Sequence, residues 1–519
     1  MVYTGSRSTG CERCRQRKIK CDKKRPGCQR CELNKAQCPG YDRPLDIRFH
    51  GGPRGFVCRK PREEKKTTEA VVTDRASPKR VEDGHDVRGG ILSLRQPRPV
   101  WDDESVCYFV HEFSFAPKPD LCSGHLEFLQ GLLESSCETS PLRPATLASS
   151  YLSLSRHYKS PELYVQARKH YGTALQSIRT ILSKPLESWQ EEILAAIMLL
   201  HMFEDTDAIV SDERASHLQA IAGLYATRGQ SLLSSLRGPS LYPWVFSQLQ
   251  IHAFTTNQTF NCLAVPASEV NIAHPPTGVV VMVSKVGRFW FELQQLLEED
   301  DIRDPVQHRD RLITMMHEAM VTQSEIQRWE TSLPATWKPR EIDAGGQLFV
   351  TYAIRWLGIT WIMYSATLAI FYHGVLCCCR ALTSINHTIH SQSYSSDARA
   401  VENSLIATSF AMAEQNIVQL IERICNSIPF SLGEVDCNGH RLSIPDYKGC
   451  VCYHLIWPLA LVTRSQHSSK DQVQLCRETL ARIQNMYGIH LAQCVGGEYG
   501  VLIVLATIEE PGEVEAAVL

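Results

Sequence analysis

From about residue 120 onward, apolar positions recur at spacings of three and four, the period of helices that bury one face. Ser160, Pro161 and Glu162 supply an N-cap, a first-turn proline and a first-turn acid, and Tyr171, Leu175, Ile178 and Leu182 form the buried stripe that follows. Ser188 and Glu191 have capping-box spacing ahead of Ile193, Leu194, Ile197 and Leu200. Leu218, Ile221, Leu224 and Tyr225 mark another helix that stops at Gly229. Asn403 precedes a longer one through Ile406, Phe410, Ile417, Leu420, Ile421 and Ile424. Strand alternation is scarce, so the pattern predicts a mainly α protein whose body, residues 120–508, is all-α.

The first 119 residues differ. Residues 41–119 combine glycines, prolines and a charged run from Arg59 to Lys66 with few apolar positions at any period, which predicts a disordered basic linker. No apolar heptad runs from Tyr41 to Val100, so no coiled coil is expected there, and monomer and homodimer both stay open. Residues 1–10 read as a disordered terminus and 509–519 as an acidic tail with four acids between Glu509 and Glu515. Trp356 to Cys379 runs 24 residues with no formal charge other than His373, long enough to cross a bilayer. Its hydroxyls and its place inside a helical body favour a central core helix, with no membrane partner.

The net charge of −2 hides an asymmetry. Residues 1–100 hold 25 Lys and Arg against 12 Asp and Glu, and the remainder holds 29 against 44. A basic head on an acidic body points to a polyanion as partner of the head, nucleic acid first and an anionic membrane surface second. Twenty cysteines behind a polar N-terminus without a secretory core indicate a reducing compartment, where thiols bind metals or fill cores. Adjacent Cys377, Cys378 and Cys379 are not spaced for chelation and read as buried thiols; His201 and His217 read as satisfied core histidines. No nucleophile, zinc-protease or phosphate-loop motif stands out, so the chain is not expected to be an enzyme.

Cys11, Cys14, Cys21, Cys28, Cys31 and Cys38 fall within 28 residues, and each of the first three has a twin 17 residues later. One tetrahedral zinc uses four thiolates and strands two; two zincs need eight ligand positions, which six sulfurs fill only if two of them bridge. The repeat makes the bridging pair equivalent positions. Cys11 with Cys28 is one such pair, and spacing does not choose among the three. Arg13, Arg15, Arg17, Lys18 and Lys20 crowd the first half-repeat and Lys23 follows it, whereas Glu32 to Gln37 in the second offers only Lys35 against Glu32, so the first half is expected to face DNA.

The stretch CERCRQRKIKCDKKRPGCQRCELNKAQC, Cys11 to Cys38, resembles the fungal Zn(2)-Cys(6) binuclear-cluster transcription factors. The resemblance implies a DNA-binding domain over residues 11–40 holding two zinc ions bridged by Cys11 and Cys28. It implies a short helix in the major groove reading CGG-type triplets in double-stranded DNA, with Lys18 on the bases and the other basic residues at the phosphates or groove. Pro26 matches the family's turn-back proline. The segments SPELYVQARKHYGTALQSIRTIL, SWQEEILAAIMLLHMFE, HLQAIAGLYATRGQ and CVCYHLIWPLALVTRS resemble the family's fungal-specific regulatory domain, and with the cluster the likeness spans most of the chain. It implies a nuclear regulator of RNA polymerase II genes, acting with the transcription machinery or coregulators, many relatives governing metabolic gene clusters. The alternative is a ligand-sensing or corepressor-scaffold protein whose cluster binds nucleic acid weakly.

Overall fold

The computed structural model describes residues 11, 13–14, 17, 19–22, 24, 28–34, 38, 101–118, 124–182, 191–207, 217–223, 238–256, 275–299, 304–389 and 396–496. They fall into two units, Met1–Ser93 and Leu94–Leu519. The first contains the cysteine repeat and a short helix, α1 (Gln29–Leu33). The second contains α2 (Trp101–Phe113), α3 (Phe128–Ser135), α4 (Leu142–Tyr158), α5 (Pro161–Leu182), α6 (Glu191–Asp207), α7 (Gly238–Thr256), α8 (Pro275–Leu297) and α9 (Pro305–Ser332). After a hairpin of β1 (Arg340–Ala344) and β2 (Gln347–Thr351) come α10 (Arg355–Ile389), α11 (Ser396–Ser431), α12 (Gly449–Arg464), α13 (Lys470–Tyr487) and α14 (His490–Gly496).

One core runs through the second unit. At its centre lies α10, packed against α8, α9, α11 and α12. The helix is long and apolar enough to cross a membrane, yet its most apolar window is 89% buried inside the protein. Trp361, Ile362, Tyr364, Leu368, Phe371 and Leu376 are among the side chains this burial removes from water, each stabilising by about 1.5–3 kcal/mol for the larger apolar types. The core-helix expectation therefore matches its packing. Gly374 brings α8 close: a Cβ there would stand 2.9 Å from Phe289 Cε1 and 3.3 Å from Leu293 Cδ2.

Helix α5 begins as expected, with Pro161 in its first turn and the Ser160 hydroxyl accepting from the Leu163 N–H at 3.4 Å. Tyr171 and Ile178 are buried and Leu175 packs against the core. Ile193, Leu194, Ile197 and Leu200 are buried on α6, which opens at Glu191; Ser188 lies outside the described residues. A helical segment at 217–223 buries Leu218 and Ile221, while Leu224, Tyr225 and Gly229 lie outside them, as do residues 41–100 of the expected linker and both expected terminal tails. Ile417, Leu420, Ile421 and Ile424 line the buried side of α11, but that helix starts at Ser396, ahead of Asn403.

One boundary needs correction. Residues 101–113, assigned to the linker, form α2, with Ser105, Phe109 and Phe113 buried as an i, i+4, i+8 stripe and Phe109 and Phe113 rings stacked at 5.0 Å. Two buried phenylalanines behind the acidic turn Asp102–Glu104 are too short a stripe to register in a wider window. The body is helical as expected and carries one short hairpin. β1 pairs antiparallel with β2, Ala344 opposite Gln347, across Gly345 and Gly346 at φ of +69° and +84°. Both glycines adopt the left-handed conformations that a two-residue hairpin turn requires. Adjacent Phe349 and Val350 both join the core and β1 stays largely exposed, so β2 shows no in-and-out alternation that a sequence pattern could reveal.

Gly374→Ala is expected to lower stability by about 1–3 kcal/mol through overpacking against Phe289. Gly172→Ala, on an exposed face of α5 where a Cβ meets nothing, is expected to raise it by about 0.5–1 kcal/mol. Urea unfolding of the two variants checks both signs.

Candidate metal centre and nucleic-acid interface

Arg13 and Cys14 lie in a helical turn closed by the Arg17 N–H on the Arg13 carbonyl at 3.2 Å, and the Ile19 N–H follows onto the Cys14 carbonyl at 3.0 Å. Seventeen residues on, Cys28 is the N-cap of α1, its Sγ accepting from the Cys31 N–H at 3.4 Å. Each half-repeat thus presents its first two cysteines from a turn of helix, which brings sulfurs three residues apart onto one side. Asp22 ties the halves together, one carboxylate oxygen accepting from the Gln29 N–H at 3.1 Å; that hydrogen bond holds its carboxyl below the usual range. A lone acid inside a basic run is a weak signal, and sequence reasoning passed over it.

Among the described residues the sulfurs gather into two groups of four, with the sulfurs of each group within 4.8 Å of one another: Cys11, Cys14, Cys21 and Cys28, then Cys11, Cys28, Cys31 and Cys38. Cys11 and Cys28 belong to both. Their sulfurs are 3.6 Å apart, with Cys11 to Cys31 at 3.8 Å and Cys14 to Cys28 at 3.7 Å. A tetrahedron with metal–sulfur bonds of about 2.3 Å has edges of about 3.8 Å, so the donor set fits two zinc ions. Of the three pairs the repeat allows, this geometry selects Cys11 and Cys28 as the shared one.

Burial and neighbouring sulfurs push the Cys14 thiol up to about 12, and burial raises Cys28 as well. At Cys31 the hydrogen bond to Cys28 acts downward, but burial and the Cys11 and Cys38 sulfurs override it. Packed sulfurs without a cation hold their protons; bound zinc would supply the positive charge that keeps them as thiolates. Around the sulfurs, Arg17 and Lys20 are exposed and Arg13 is half-buried. Arg15, Lys18 and Lys23 lie outside the described residues.

The model of the fungal Zn(2)-Cys(6) binuclear cluster domain matches residues 9–47, and that of the fungal specific transcription factor domain matches residues 108–413, more than half the chain. The chain belongs to the fungal zinc-cluster transcription factors. No curated protein and no solved structure matches it. Two zinc ions are therefore the resident metals of this transcription factor, and DNA is the partner of its basic head. The regulatory-domain match ends within α11, whereas the core continues through α14.

The remaining sequence candidates are core features of the regulatory domain. Cys377, Cys378 and Cys379 are buried on α10, and burial raises all three thiols, Cys377 and Cys379 to about 11. His217 Nε2 lies 2.8 Å from Glu204 Oε1, and His201 Nε2 lies 3.7 Å from Asp205 Oδ2. The two buried carboxylates were not anticipated; no helical period marks an acid as buried. Glu204 also accepts from Tyr171 at 2.5 Å and Asp205 from Tyr453 at 2.6 Å.

Elemental analysis of the purified full chain is expected to give two zinc equivalents. Chelation is expected to strip hydrogen-exchange protection from residues 11–38 while α2–α14 keep theirs, because a cluster of this size folds around its metal. Acidification should release the zinc as protons reclaim the thiolates; metal retention at pH 3 would contradict the all-thiolate set.

Proposed function

We propose that this DNA-binding transcription regulator works in the nucleus, on RNA polymerase II genes, by reading CGG-type triplets through its first half-repeat. In this reading Cys11, Cys14, Cys21, Cys28, Cys31 and Cys38 ligate the zinc pair. Lys18 reaches base edges, and Arg13, Arg15, Arg17, Lys20 and Lys23 engage phosphates or the groove walls. Residues 11–40 form the DNA-binding domain, and the helical body passes regulatory input to the transcription machinery or coregulators. The targets include genes of a metabolic cluster.

One observation carries the reading: two four-sulfur groups that share Cys11 and Cys28 sit beside exposed Arg17 and Lys20. Six thiolates around two divalent ions leave two negative charges, which adjacent cations offset while keeping surplus positive charge for DNA. Phosphate contacts position a protein on the duplex, and a lysine on guanine O6 and N7 discriminates between bases. The acidic body keeps that attraction confined to the head.

Selection of bound sequences from random duplexes is expected to enrich CGG triplets; flat enrichment would favour the ligand-sensing or scaffold role. Lys18→Ala is expected to cost about 1–3 kcal/mol on the enriched site and little on random DNA. Lys20→Ala, removing a phosphate contact, is expected to weaken both equally and to reduce the salt slope by about 0.9. Titrations at several salt concentrations separate the two classes.

A further inference from the structure

A cavity of about 140 Å³ lies in the helical unit, walled by α7, α8, α10 and α12 and by the segment at His125. Its lining includes Trp244, Gln250, Trp356, His454 and Trp457, and no Asp, Glu, Lys or Arg contributes to it among the described residues. His125 stacks on Trp356 at 4.8 Å and meets Trp244 and His454 edge-on, at 5.6 Å and 4.9 Å. Flat rings therefore form one side of the space.

Four polar atoms in this wall are buried without a hydrogen-bond partner among the described residues: His125 Nε2, Trp244 Nε1, Gln250 Oε1 and Tyr364 Oη. These four residues are 1–4% exposed. Buried polar groups are almost always paired, so four orphans around one void ask for a partner that is not part of the chain. Trp244 Nε1 is a donor only and the glutamine amide offers both donor and acceptor. Gly287 makes room for that amide, since a Cβ there would come within 2.8 Å of Gln250 Oε1. Burial depresses both histidines, His454 to about 4 against the opposing pull of the Cys450 carbonyl, so the wall is uncharged at neutral pH.

We propose that this cavity binds an uncharged, flat small molecule of a single ring, with an acceptor for the Trp244 N–H and a donor for the Gln250 amide oxygen. A carboxylate or phosphate ligand is disfavoured because no cation in the wall offsets its desolvation. The volume matches this size class, as a void of about 150 Å³ accommodates a benzene ring. The rings offer stacking faces, and the polar atoms set orientation. The site does not depend on how the cluster reads DNA.

The probe is 2-pyridone, a neutral monocyclic lactam, titrated into the full chain in the absence of DNA. Tryptophan fluorescence and the thermal midpoint are recorded, with 2-pyridone-4-carboxylate as the charged counterpart. Saturable quenching with a raised midpoint is expected for the lactam and not for the carboxylate. Thr360→Trp, which fills the cavity from α10, should abolish the response. Trp244→Phe, which keeps a ring and deletes the N–H, should weaken binding by about fivefold to tenfold. If Thr360→Trp does not fold, the Trp244→Phe comparison decides alone. No saturation below millimolar lactam, equal binding of the carboxylate, or unchanged affinity in Trp244→Phe would overturn the assignment. None of these outcomes bears on DNA binding, which a separate duplex titration reads.

Discussion

The sharing of two sulfurs by two metal ions is the constraint from which the DNA-binding module follows. Among its described residues the only buried core is Cys11, Cys14, Cys28 and Cys31, with Cys21 and Cys38 packed beside them. A segment this short buries too little apolar surface to offset the entropy of ordering its backbone. Ile19 and Leu33, which a larger domain would bury, are 42% and 72% exposed. Metal–thiolate bonds take the place of hydrophobic burial, so folding, metal loading and presentation of the basic residues are one event.

That substitution explains the charge pattern. A module with an apolar core must keep much of its length for that core, whereas this one uses six positions and leaves the intervening ones free. The first half-repeat puts five arginines and lysines there against one acid, the second two, Arg30 and Lys35, against Glu32 among neutral residues. Ligand symmetry without charge symmetry gives the module one cationic side. The helical body meets the opposite requirement: its acids outnumber its bases, and its apolar residues form a continuous core through α14.

How far each feature was legible depended on whether local chemistry or tertiary packing decides it. The cysteine repeat was fully legible, since stoichiometry and spacing are local; only the choice of the shared pair needed geometry. Long helices with proline starts and regular stripes, α5 and α6 above all, were legible for the same reason. The start of α2 was hidden because its stripe makes sense only against α4 and α12, which lie far along the chain. The hairpin was hidden because one of its strands faces solvent, although Gly345 and Gly346 gave the turn. The aromatic cavity had no sequence signature, since His125, Trp244, Trp356 and His454 converge from four separate segments. Alternating readings of α10 as span or core were resolved by its neighbours, each of which has a complementary apolar face.

Buried carboxylates on α6 show what tertiary context adds. Glu204 and Asp205 are 1% and 3% exposed in a helix whose other buried positions are mostly apolar. Their partners come from elsewhere: Tyr171 from α5, His217 from the segment at 217–223, Tyr453 from α12. Asp207, one residue pair further on, receives Arg156 from α4 at 2.7 Å and Tyr164 from α5 at 3.0 Å. An apolar core of equal volume would hold these helices about as tightly, but it would tolerate sliding by a turn. A slide here leaves a carboxylate buried without its donor, which costs far more than a repacked methyl group. The polar network therefore fixes the register of α4, α5 and α12 on α6. It does so on the α12 that also carries His454 and Trp457 into the cavity wall, so the same constraint that orders the bundle sets the shape of the space inside it.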